Sequence, residues 1–462
     1  MKKSLHKAFG FYERFLDNVD NGKYGATHYM MGVNYRHGSN DLARNDDLAL
    51  KHFQLSAQSG YPQGQRVLGN MYADGIGVTK NESEAHQLFK KAAVQGDPLA
   101  LCLLGKQYEY GRGCSKNIQE AINCYEQAAR RTETLPIHCV PAQLALAMLL
   151  DSNGRHKEAF EWFQKVANSK NFKEGIASRE LESMHMHKLA LYRNTARLYV
   201  ALYQLHGSGS LQTDPVTAFK LLLNLADTED FADAHYHTAR AYKDGIASVV
   251  ERNPKLAYDH FRKAADLGHM LSQFHAADML SNGFTCTDEQ GIDHLIKDRE
   301  QAYYLYASAS SQGHSLSQMC EAVYYIEGLP PVDRDLERAE ELLRGAIIRG
   351  LPEAMVTLSR ILINNPATVA EAHTWLLRAA KRDNINAMRE LAKAYEMNLL
   401  PVTEGKTNYQ EGYAWLEKAT SFNDPRAWFQ LAQYHEKGWF VPCCIENQYE
   451  CLKKSEDLGY VR

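Results

Sequence analysis

Small and apolar residues recur three and four positions apart along most of the chain, in short blocks separated by glycine and polar residues. That spacing gathers them on one face of a helix. Three stretches repeat the arrangement closely. Residues 68–93 read LGNMYADGIGVTKNESEAHQLFKKAA, residues 104–129 read LGKQYEYGRGCSKNIQEAINCYEQAA, and residues 239–265 read ARAYKDGIASVVERNPKLAYDHFRKAA. The period is about 36 residues, which accommodates two amphipathic helices and a turn, and such a period signals a helical solenoid. A solenoid has no single core around a single pocket, so its function is expected along a surface.

The first helix of each unit carries small or apolar residues at A-x3-L-G-x2-Y spacing, seen in the second unit as Gly64, Leu68, Gly69 and Tyr72. Gly69 and Gly105 stand where a side chain would hold two helices apart. Tyr72, Tyr108 and Tyr242 supply aromatic area with a polar tip. Turns are predicted at Gly75-Ile76-Gly77 and Gly111-Arg112-Gly113, the first glycine ending the helix in a left-handed conformation. Asn81, Asn117, Asp214 and Asn253 are placed to cap a second helix. That helix reads A-x2-[LCHW]-[FYL]-x-[KQ]-A-A, as in Ala85, Leu88, Phe89, Lys91, Ala92 and Ala93. Gly96, Gly268, Gly313 and Gly350 close it.

These residues resemble the Sel-one-like repeat, a relative of the tetratricopeptide repeat. The match is tightest in units starting near 64, 100 and 234, and looser near 27, 354, 387 and 427. In units near 142, 195, 272 and 317 mainly the second helix carries it. About eleven units of this period fit between roughly 25 and 460. The resemblance implies an all-α fold, an α/α superhelical solenoid, and an adaptor role; it does not imply an enzyme activity. Residues 1–24 predict an N-terminal capping helix, with Ala8, Phe11, Tyr12 and Leu16 inward. Repeats one to four are expected in 25–167, a helical insertion or linker in 168–194, and repeats five to eleven in 195–462. Residues 284–299 and 398–411 enlarge turns and are expected to form loops, where inserted sequence often contributes to binding.

The formal net charge of −4 gives no support to a nucleic-acid role, because such binders carry a basic domain. The longest apolar stretch, near 141–150, falls well short of the roughly 20 residues a membrane-spanning helix needs. No signal-peptide core interrupts the charged N-terminus. A cytoplasmic protein is expected, and delivery into a host cell by another route is compatible with the same features. Nine cysteines without a CxxC pair predict free thiols in a reducing compartment. Cys102 and Cys124 lie on the two helices of one unit.

Catalytic and metal motifs are missing from the sequence. His185-x-His187 and His235-x-His237 place two rings about 200° apart on a helix, which is wrong for one ion. HExxH, a cysteine–histidine zinc set, GxSxG and GK[ST] are not found. Trp162, Trp375 and Trp415 fall at or near the second-helix aromatic position and read as core. No cofactor and no metal are expected.

In the geometry the resemblance implies, first helices line a concave face. Their non-core positions include Arg36, Arg66, Asn70, Lys106, Tyr110, Arg240, Lys243, Arg360, Asn364, Arg389 and Lys393. Several are basic, so an acidic peptide or a carboxylate terminus would suit them, with arginine offering bidentate hydrogen bonds. Asp74, Glu109, Asp233, Asp244 and Glu396 occupy similar positions, which is also what an ordinary solvated face with mixed ion pairs looks like. The expected function is a non-enzymatic scaffold for a protein or peptide partner, itself a monomer or weak dimer. Two alternatives use related surfaces: a bacterial effector engaging host proteins, or a regulator of an enzyme complex acting through the inserted loops. An enzyme active site inside 168–194 or 284–299 is the reading from a different class.

Overall fold

The computed structural model describes residues 24–38, 43–130, 136–169, 179–208, 211–287, 292–402 and 404–460. The capping helix expected over 1–24 therefore falls almost wholly outside the described residues. The described chain is helical apart from turns and one small pair of strands. It is organised as two compact units divided between Ala234 and His235.

The first unit stacks five helical hairpins. They are α1 (Gly25–His37) with α2 (Asp46–Gln58), α3 (Pro62–Asp74) with α4 (Glu82–Val94), and α5 (Pro98–Tyr110) with α6 (Ile118–Ala129). Then come α7 (Pro136–Ser152) with α8 (His156–Ala167) and α9 (Arg179–His206) with α10 (Pro215–Glu229). Residues 179–194, within the stretch expected to be a helical insertion or linker, are the first half of α9, and 170–178 of that stretch lie outside the described residues.

The second unit holds six hairpins, the first helix of which starts just before the divide. These are α11 (Ala232–Asp244) with α12 (Pro254–Asp266), α13 (Met270–Asn282) with α14 (Arg299–Ser311), and α15 (Ser315–Glu327) with α16 (Leu336–Ile348). The last three are α17 (Pro352–Leu362) with α18 (Val369–Ala380), α19 (Ile385–Glu396) with α20 (Asn408–Thr420), and α21 (Pro425–Lys437) with α22 (Ile445–Asp457). Odd numbers are thus first helices and even numbers second helices, and within each unit most helices pack chiefly on their sequence neighbours. The described residues hold the eleven units of an all-α solenoid.

Local chemistry explains the hairpins. Second helices start where a polar side chain takes a free backbone N–H. Asn81 accepts from Glu84 at 3.0 Å, Asn117 from Glu120 at 3.2 Å, Asp214 from Thr217 at 3.0 Å and Asn253 from Leu256 at 3.0 Å. Each such cap stabilises its helix by about 1 kcal/mol. Several first helices open on proline, as at Pro62, Pro98, Pro352 and Pro425, where the missing N–H costs nothing. Gly75 and Gly111 end α3 and α5 at φ 72° and 68°, a left-handed geometry that a β-carbon penalises.

Packing inside a hairpin turns on one aromatic ring. Phe53, Phe89, Tyr125, Phe163 and Phe261 hold the same place in their second helices and are fully buried. Each contributes about 1.5–3 kcal/mol by leaving water. A β-carbon on Gly69 would lie 2.7 Å from Phe89, and one on Gly105 would lie 2.7 Å from Tyr125. The two glycines allow the backbone of the first helix to rest on the ring of the second.

The 284–299 insertion is not the loop expected from sequence. It forms an antiparallel pair, β1 (Phe284–Thr287) and β2 (Asp293–Ile296), in which Phe284 faces Ile296 and Thr287 faces Asp293. Phe284 is buried in the core of the second unit, against the Tyr258 ring at 5.2 Å. Thr285, Cys286 and Thr287 continue from it with residue types that suit a pleated, half-buried strand. The Thr287 hydroxyl ties to the Asp293 carboxylate at 2.6 Å.

Candidate functional site: the first-helix face

Successive first helices meet through one recurring contact. The fifth residue of a first helix reaches the N-cap of the next one. Arg66 of α3 donates from Nε to Asp97, the cap of α5, at 3.2 Å. Arg389 of α19 stands 3.8 Å from Asp424, the cap of α21. In α11 and α13 the fifth residue is aromatic and the following cap is histidine. The Tyr236 and His269 rings lie 4.8 Å apart, as do those of Phe274 and His314. His269 accepts the Ser272 N–H at 3.1 Å, and His314 accepts that of Ser317 at 3.3 Å.

This arrangement separates the sequence-predicted residues into two sets. Arg66 and Arg389 are largely covered and turned toward the neighbouring repeat. Arg389 also reaches Gln430 and Asn386, and burial lowers the pKa of its guanidinium. The remaining candidates face outward to different degrees. In the first unit Arg36 and Asn70 are half-buried, whereas Lys106 and Tyr110 are exposed. The Arg112 guanidinium sits over the Tyr110 ring at 5.3 Å. In the second unit Arg240 and Lys243 are exposed, with Arg240 4.0 Å from Asp244.

Three candidates converge on one groove. A cleft of about 350 Å³ between α15, the start of α16 and α17 is lined by Val323, Ile326, Leu336 and Ile361, with Glu327 and Arg334 at its edge. A second cleft of about 380 Å³, between α17 and α19, is lined by Ile363, Ala394, Met397 and Leu399, with Lys393 beside them. Arg360 and Asn364 line both clefts. Arg360 donates from Nε and Nη2 to Glu390 Oε1, at 3.0 and 2.6 Å, across to the next first helix. Sequence reasoning missed Arg334 because it precedes a second helix, and missed Val323, Ile326 and Thr357 because they are uncharged. The signal that finds them is position relative to the buried alanines of α15 and α17.

Other predicted chemistry resolves differently. His235 is buried and meets His260 of α12, Nδ1 to Nδ1, at 2.9 Å, while His237 is half-buried. The same contact occurs between His28 and His52 at 3.1 Å, at equivalent places in the first hairpin. Burial holds His52 at about 4, so that ring is neutral near pH 7. The side chains of His185 and His187 lie outside the described residues. Cys102 and Cys124 are buried free thiols, and burial pushes Cys124 up to about 11. Trp162, Trp375 and Trp415 are half-buried against the core, with Lys165, Arg378 and Lys418 over their rings. Among the described residues no group of three or more histidine, cysteine or acidic side chains is placed to hold a metal. No helix among them is long and apolar enough to cross a membrane.

Comparison with known proteins agrees with the architecture. A solved antigen of uropathogenic Escherichia coli strains displaying an SLR fold aligns over 97% of this chain and 90% of its own, with a TM-score of 0.55 and 20% identity. Two curated relatives are similar in sequence. The chitin synthase regulator SKT5 of Saccharomyces cerevisiae is 27% identical over 51% of this chain, which spans 36% of that protein's length. An exopolysaccharide production negative regulator of Rhizobium meliloti is 26% identical over 42% of this chain and 72% of its own. The Sel1 repeat profile matches residues 26–61, 62–97, 98–132, 140–171, 195–227, 232–269, 273–314, 315–350 and 385–421. The α17–α18 and α21–α22 hairpins escape that profile but keep the same fold. With nine matched segments over most of its length and eleven hairpins of one plan, the chain belongs to the Sel1 repeat family.

Proposed function

We propose that this Sel1 repeat protein is a non-enzymatic scaffold that holds a protein or peptide partner on the outward positions of its first helices. The groove shared by α15, α17 and α19 carries this reading, because three residues selected from sequence, Arg360, Asn364 and Lys393, line it together. Within the second unit Arg240 and Lys243 add to the binding positions and Arg389 holds the helices that present them; in the first unit Arg36, Asn70, Lys106 and Tyr110 are the corresponding positions and Arg66 holds its helices. Affinity capture from lysate with the full chain and with its Arg360→Glu, Lys393→Glu variant tests the proposal. Loss of a captured protein from the variant is the expected result, and an identical captured set would refute it.

A second reading is favoured by the names of the relatives. Both are called regulators of polysaccharide production or synthesis, so the held partner would be an enzyme of that type or a protein controlling one. Mass-spectrometric identification of the proteins lost from the variant decides between this partner class and others.

A further inference from the structure

We propose that the groove accepts an extended segment bearing two apolar side chains about three residues apart, with an acidic residue between them. The inference rests on the scaffold reading and gives its partner a chemistry. The floor of each cleft is aliphatic: Val323, Ile326 and Leu336 in one, Ile363, Met397 and Leu399 in the other. Each cleft, at about 350 and 380 Å³, has room for one large aliphatic side chain. Met397 at the second cleft is 56% exposed, so apolar area stands open there for a ligand to cover.

The spacing follows from the helices. Neighbouring first helices lie about 10 Å apart, as packed helices do. An extended chain advances about 3.1–3.4 Å per residue, so a step from one cleft to the next takes about three residues. The shelf between the clefts is polar, formed by Arg360 and Asn364. Both can hydrogen-bond the backbone or a carboxylate of a segment crossing them.

Charge selects the middle residue. Arg334, Arg360 and Lys393 face two carboxylates, Glu327 and Glu390, within the groove. A local surplus of positive charge in a chain of net −4 favours an acidic ligand and disfavours a basic one. Glu390 already accepts both hydrogen bonds from Arg360 on a single oxygen. A ligand carboxylate therefore finds Arg360 held in place, with Arg334 and Lys393 on either side to meet it.

Selection of a displayed random-peptide library on the full chain tests this, with the Arg334→Glu, Lys393→Glu variant as counter-target. Both residues are exposed, so reversal leaves the helices intact. The expected enrichment is two apolar positions three apart flanking aspartate or glutamate. A fluorescently labelled enriched peptide should bind at least tenfold more weakly when its acid becomes an amide, and likewise to the Met397→Asp variant. Failure to enrich any peptide, enrichment without the acid, or equal affinity for the variant would overturn the inference. Where lysate capture still depends on Arg360 and Lys393, those results remove only the peptide chemistry and leave the scaffold reading standing.

Discussion

The junctions between first helices come in two chemistries, although the backbone contact is the same. Between α3 and α5, and between α19 and α21, an arginine closes on an aspartate cap. Between α11 and α13, and between α13 and α15, an aromatic ring closes on a histidine cap. The first kind depends on a charge pair that is mostly out of water. The second depends on a neutral ring that keeps a lone pair for a backbone N–H. One fold position therefore tolerates two solutions that respond to different conditions.

The largest expected effect comes from breaking the charged kind. Asp97→Ala removes the α5 cap and strands Arg66, which is only 15% exposed. A cost of about 3–5 kcal/mol is expected for leaving one partner of a covered pair alone. Because a repeat array need not unfold in one step, hydrogen exchange read helix by helix is the measurement, and α3–α5 should open while α19–α21 stays protected. Phe274→Ala comes next, at about 2–3 kcal/mol, since a half-covered ring loses less than a fully buried one. Exchange should then rise in α13 and α15.

Acid sharpens the contrast. Burial lowers the pKa of His314, and burial holds His275, stacked 5.1 Å from Phe261, at about 4. His275 also feels Lys243, Arg240 and His314, which oppose its cation, and Asp278, which favours it. Both rings bind a proton more readily when unfolded, near 6.5. Their contribution is complete above that value and fades as pH falls below it, for His275 toward about 4. From pH 7 to 5, exchange corrected for its intrinsic rate should rise several-fold in α13 and α15 and stay level in α21. His314→Asn keeps a capping acceptor and should reduce the response, leaving the share that His275 supplies. The smallest effect belongs to the exposed pair on the groove: Arg360→Ala should cost less than about 1 kcal/mol in thermal melting, with any effect confined to partner capture.

The hairpins were legible because a 36-residue rhythm, a glycine under an aromatic ring and an asparagine before an alanine each have one local cause. Gly69 with Phe89 and Asn117 with Glu120 need only their own hairpin to be understood. The 284–299 strands were not legible, because a four-residue run such as Phe284–Thr287 suits strand and loop alike until Phe284 finds a core to enter. The junctions were hidden for another reason. Arg66 and Arg389 look like surface cations in their own helix, and only the cap of the following repeat, about 30 residues on, shows where they point. The groove was half legible: Arg360, Asn364 and Lys393 follow from helix position, whereas Arg334 arrives from a turn.

The strand pair also bears on how such an array changes over generations. It interrupts a hairpin between its two helices, α13 and α14, which still pack on each other, and leaves the seams between consecutive hairpins untouched. New material can therefore be added at that bend, trimmed or exchanged while the stacking register upstream and downstream is kept. The bend is the natural graft point of the second unit, where a foreign epitope could be displayed with little penalty to the rest.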